Sequence, residues 1–89
     1  MMNSVGAEQP LEFPVTCRHR ILADWGDNVR AQILMRLREL HISEELQEGR
    51  HSRDGTYVTY TVEVEYHSRD ELYRVMNALA NVDGVRTVI

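Results

Sequence analysis

Between Tyr57 and Tyr66 the side chains alternate without a break. Val58, Tyr60, Val62, Val64 and Tyr66 fall on one side, and Tyr57, Thr59, Thr61, Glu63 and Glu65 on the other. Successive side chains of a strand point to opposite faces, and β-branched and aromatic residues suit a pleated, half-buried surface. The segment therefore predicts a long strand, covered on one face and open to water on the other. Such a strand needs neighbours at its edges and a cover for its apolar face, and the remaining chain has to supply both.

A second alternating run, Val15 to Leu22, places Val15, Cys17, His19 and Ile21 on one side and Thr16, Arg18, Arg20 and Leu22 on the other. Asp24-Trp25-Gly26-Asp27 reads as a turn, with Asp27 as the residue capping the helix that follows. From Asn28 to His41 the period changes: Val29, Ile33, Leu37 and Leu40 recur at helical spacing, with Leu34 beside them. Glu44 to Ser52 is polar, with Leu46 as its only large apolar residue, and reads as an edge strand closed by the Arg53-Asp54-Gly55 turn. Ser68 and Glu71 form a capping box, Glu71 reaching back to the amide of Ser68. The helix after it buries Leu72, Val75, Met76 and Leu79 and ends near Asn81. Asp83-Gly84 turns the chain into a last short strand, Val85 to Ile89. The expected core is Val15, Ile21, Val29, Ile33, Leu37, Val62, Val64, Leu72, Val75, Met76 and Leu79.

The order is β-α-β-β-α-β. Two amphipathic helices and four strands with one apolar face each pack most economically with both helices on one face of a four-stranded antiparallel sheet. This is an α+β fold, the ferredoxin-like plait. The chain of 89 residues is one domain's worth: residues 1–10, small, polar and aperiodic, form an expected tail, and 11–89 the domain. The uncovered sheet face is expected to carry Arg18, Arg20, Thr59, Thr61, Glu63, Glu65 and Arg86.

The residues that open the domain, Glu12-Phe13-Pro14, the Ser52-x-x-Gly55-x-Tyr57 hairpin, Leu72-Tyr73, and the final Val85-Arg86-Thr87-Val88-Ile89 resemble the small YbeD-like bacterial proteins, related in fold to the ACT domains. The resemblance runs from Leu11 to Ile89. It implies the same ferredoxin-like, ACT-like fold and a regulatory or binding role, and it brings no catalytic residue with it.

Charge and residue pattern narrow the chemistry. Fourteen acidic residues oppose ten basic ones, for a net charge of −4. Nucleic-acid binding draws on a cationic face, and here Glu63 and Glu65 share the open face with the arginines, so no nucleic-acid partner is expected. No run is apolar enough to span a bilayer, no membrane contact is expected, and the lone Cys17 rules out an internal disulfide; together these point to the cytoplasm. Phosphate chemistry of the acylphosphatase kind is disfavoured by the two carboxylates of Asp24-Trp25-Gly26-Asp27, and no serine or cysteine sits in a nucleophile context. Cys17 and His19 share a strand face, but that face is the buried one, so core packing is expected rather than a metal site, and no cofactor. An ACT-like ligand site would use Trp25, Gly26, Asp27 and Asn28, where a small molecule such as an amino acid could meet the free amides of the helix start. The favoured expectation is a non-enzymatic regulatory or protein-interaction module. It would form a weak homodimer and meet an unidentified protein partner through Arg18, Arg20, Leu46, Glu63, Glu65 and Arg86.

Overall fold

In the computed structural model, which describes residues 12–89, the elements are β1 (Val15–Asp24), α1 (Asp27–Glu39), β2 (Gln47–His51), β3 (Tyr57–Tyr66), α2 (Arg69–Ala80) and β4 (Val85–Val88). The expected tail, residues 1–10, lies outside the described residues. The sheet order is β2-β3-β1-β4, every pairing antiparallel, which is the ferredoxin-like arrangement. β1 and β3 form its spine, in unbroken register from Val15 opposite Tyr66 to Asp24 opposite Tyr57. No described helix is long and apolar enough to cross a membrane.

Alternation on the two central strands decides which face is covered. Val58, Tyr60, Val62, Val64 and Tyr66 of β3, with Ile21 and Ala23 of β1, join Ile33 and Leu37 of α1 and Leu72, Val75 and Leu79 of α2 in one buried cluster. Val15, Val29 and Met76, expected in the core, pack at its margin, half-buried.

Leu46 departs from expectation. It was placed on an interaction surface, yet it is only 6% exposed and belongs to the core cluster. The reason is physical: every residue of β2 is exposed, and Leu46, one residue before it, is the apolar anchor that holds this edge down.

Three local details also shift. Asp27 does not cap α1; it is the helix's first residue, Gly26 is the cap, and no side chain closes that end. Asp24 belongs to β1 rather than to the turn. Ser68 does cap α2, its Oγ accepting from the Glu71 amide, but Glu71 reaches back to the amide of His67, one residue further than the usual box.

Two glycines permit close approaches. A Cβ on Gly49 would stand 2.9 Å from the Thr59 carbonyl oxygen, at the point where the β2–β3 register shifts. Gly84, at φ 91°, lies against Val29 of α1, where a Cβ would come within 2.7 Å of a methyl carbon. The β4 turn is thereby seated on the first helix.

Candidate functional site

Residues of odd parity to the core build the uncovered face. Arg18 lies opposite Glu63, Arg20 opposite Thr61 and Leu22 opposite Thr59; Arg18, Arg20, Glu63 and Glu65 are all exposed, where the alternation puts them. At one end of this face a depression of about 220 Å³ is lined by Arg18, Glu44, Glu45, Gln47, Thr61 and Glu63. Toward the other end a depression of about 190 Å³ has Leu22, Thr59 and Tyr57 as its floor, with Arg50 and His51 at its side. Arg86 reaches from β4 to Asp24, its Nε and Nη2 donating to the two carboxylate oxygens at 2.9 and 3.1 Å. That fork raises the Arg86 pKa, first through the hydrogen bond and then through the charge of Asp24. Among the described residues the other ion pairs are Arg36–Glu39 and His51–Glu48, leaving Arg18 and Arg20 unpaired.

Arg50 was missed from the sequence. Strict alternation along β2 says nothing of a bulge, and here two residues, Gly49 and Arg50, occupy the gap between the pairs Glu48–Tyr60 and His51–Val58. The extra residue turns Arg50 toward Leu22 and Thr59. A glycine within a strand was the available signal.

None of the candidate ligand residues of the first loop lines the open face's depressions, although Trp25 stands against His51, which does. Trp25 is 45% exposed, its amide donating to the Thr56 carbonyl and its ring set edge-on to His51 with centroids 4.6 Å apart. Gly26, Asp27 and Asn28 start α1; Asp27 and Asn28 are exposed, and a Cβ on Gly26 would meet nothing within 4 Å.

His19 is the one buried charged or polar residue among those described. Its Nε2 lies 2.7 Å from the Tyr66 hydroxyl and its Nδ1 3.4 Å from the Ile89 carbonyl oxygen. A carbonyl only accepts, so Nδ1 carries the proton and the Tyr66 hydroxyl donates to Nε2. Burial pushes the His19 pKa down, with the Ile89 hydrogen bond pulling weakly upward, and burial pushes the Tyr66 hydroxyl up. Both groups therefore stay neutral. Cys17, half-buried, stands two residues away with its thiol free. Among the described residues no group of three or more His, Cys, Asp or Glu side chains is placed to hold a metal ion.

The buried histidine makes stability depend on pH. The unfolded chain accepts a proton on His19 near pH 6.5 while the folded protein resists it, so the contribution is complete above that value and is lost as pH falls below it. One proton sets a slope of at most about 1.4 kcal/mol per pH unit. Urea denaturation at pH 7.5 and 5.0 is expected to show the parent losing stability on acidification. The double variant His19→Phe/Tyr66→Phe should lose less. Equal losses would assign the dependence to other groups.

The fold has solved counterparts. Protein HP0495 from H. pylori superimposes with a TM-score of 0.79 at 15% identity, covering 100% of this chain and 96% of that one. The ACT domain of the GTP pyrophosphokinase of Chlorobium tepidum gives 0.58 at 21% identity, covering 83% of this chain and 94% of that one. Identities this low carry the fold alone. Among curated relatives, a "UPF0250 protein" of Shewanella frigidimarina (strain NCIMB 400) is 22% identical over 82 residues, 92% of this chain and 93% of the relative. One of Shewanella amazonensis (strain ATCC BAA-1098 / SB2B) is 23% identical over the same length. The match extends over residues 8–89, and the chain belongs to the family described as Protein of unknown function (DUF493), the YbeD-like group its sequence resembles.

Proposed function

We propose that this chain is a non-enzymatic regulatory module of the cytoplasm that acts by protein–protein contact through its open sheet face. One observation carries the reading: the helices cover one side of the sheet, while the other presents Arg18, Arg20, Glu63, Glu65 and Arg86, all exposed, with none of the described helices packed over them. A mixed-charge face favours a partner of matched pattern, because opposite charges in register select one docking and penalise others. The buried His19, bonded on both ring nitrogens, is unavailable as a general base.

Capture from a lysate tests it. Proteins retained by the parent should be lost with Arg18→Glu/Arg20→Glu, two exposed changes that leave the core untouched. An identical set from both would show that this face is not the working surface. The same face is expected not to bind nucleic acid, since Glu63 and Glu65 oppose phosphate beside the arginines. A sub-micromolar dissociation constant for single-stranded RNA at about 150 mM salt, falling off with added salt, would contradict this.

A second reading, an ACT-like site for a small ligand such as an amino acid, is favoured by one feature. The start of α1 has no side-chain cap, which leaves first-turn amides free beside the exposed Trp25. Asp24, one of the two carboxylates that would repel an anionic ligand there, is already held by Arg86. A thermal-shift series against the amino acids separates the readings. Ligand sensing gives a rise in Tm that Trp25→Ala abolishes, and the interaction module gives none.

A further inference from the structure

The open face is charged unequally along the strands. At one end Glu63 and Glu65 of β3 stand with Glu44 and Glu45 beside them, against Arg18 alone. At the other end are Arg50 and Arg86, with Asp24 already bound to Arg86, and Arg20 lies between the two ends opposite Thr61. That basic end also holds apolar surface. Leu22 and Tyr57 lie there, and Ile89, 72% exposed, joins the same face midway along it, where it exchanges both backbone hydrogen bonds with Arg20.

We propose that this face binds a second copy of the same chain, face to face, about a two-fold axis that lies between the two sheets and runs across the strands. The proposal rests on the reading of the open face as the working surface and names its partner. Two directions are available for an axis in that plane. An axis along the strands sets acidic end upon acidic end. An axis across them reverses strand direction, so the acidic end of each copy meets the basic end of the other, and it does so twice.

Register places the contacts. Arg20 and Thr61, opposite one another, lie at the level of the axis, where each meets its own counterpart, so the opposite-charge contacts come from the two ends and not from Arg20. The axis keeps the strand order across the sheet, so Glu44 and Glu45, beside the start of β2, face Arg50 on β2 of the other copy. The four strands, of 10, 5, 10 and 4 residues and about 4.8 Å apart, offer about 450 Å² from each copy. The total, about 900 Å², lies below the range of stable specific interfaces and fits a weak, reversible dimer.

Sedimentation equilibrium of the full chain up to about 1 mM tests this. The parent is expected to dimerise with a dissociation constant in the micromolar range or weaker, and added salt should weaken it further. Arg50→Glu, and separately Glu44→Arg/Glu45→Arg, should each weaken association about tenfold or more, because like charges are then juxtaposed. An equimolar mixture of the two variants should associate about as well as the parent, since each introduced charge meets its opposite in the mixed dimer. Leu22→Arg, on β1 and away from the sheet edge, meets Arg18 of the other copy across the axis and should weaken association by the same order; Thr59→Glu, which meets Glu63, replaces it where it fails to fold. A mixture no better than its components overturns the proposal. So does full association by the β1 variant, which would move the contact to the exposed β2 edge. A parent at monomer mass throughout removes the dimer, and the lysate capture then decides separately whether the face serves another protein.

Discussion

Leu46→Arg is expected to abolish cooperative folding. The side chain is 6% exposed in the core cluster, and it is the only large apolar residue between Ser43 and Ser52, so nothing nearby can take over its anchoring role. The substitution removes buried apolar surface and forces a guanidinium into the apolar cluster. An uncompensated buried charge costs about 3–5 kcal/mol. A domain of this size has a total stability of about 4–13 kcal/mol at ordinary values per residue, so the change removes a large fraction of it. Urea denaturation followed by circular dichroism should give either no folded baseline or a midpoint far below the parent's. Gln47→Arg, one residue on and exposed, should stay within about 0.5 kcal/mol. A parent-like transition for Leu46→Arg would mean that the segment before β2 swings away from the core at little cost.

Leu46 also marks where sequence reasoning stops. Alternation on β1 and β3 and the helical spacing on α1 and α2 were readable because each pattern repeats over eight or more residues, and a repeat identifies a face. One leucine among Glu44, Glu45, Gln47 and Glu48 has no period, and its burial depends on a sheet and helix distant in sequence. Helix ends behaved similarly: Asp27 is the first helical residue rather than the cap, and Glu71 bonds the amide one position before the cap, single-residue differences that composition does not resolve.

The open face was legible in membership but not in pattern. Arg18, Arg20, Glu63 and Glu65 follow from parity alone. Its division into acidic and basic ends depends on the antiparallel register, on the bulge that turns Arg50 outward, and on the fold of Ser43–Glu45 beside the sheet. The His19–Tyr66 bond is of the same kind. Both residues belong to the buried face by parity, yet their bond depends on the pairing of β1 with β3, which sets Tyr66 opposite Val15 and His19 opposite Val62, and on the two side chains reaching along the strands to each other.

Leu37→Ala tests the orientation of α1 directly, and it is expected to cost about 2–5 kcal/mol through lost apolar contact and the cavity left behind. Leu37 is 3% exposed and lies in the core with Ile33, one turn earlier. Leu34 on the same helix is 37% exposed, so Leu34→Ala should cost no more than about 1 kcal/mol. The contrast matters because both are leucine-to-alanine changes in one helix, so helix propensity and lost atoms cancel and only burial differs. In a domain of 60–100 residues each kcal/mol moves Tm by about 4–8 °C. The Leu37 variant should therefore melt at least about 8 °C below the parent, and the Leu34 variant no more than about 8 °C below it. Unchanged m-values in urea would assign the differences to the folded state. If Leu37→Ala melts within a degree or two of the parent while Leu34→Ala falls sharply, α1 presents its other face to the sheet.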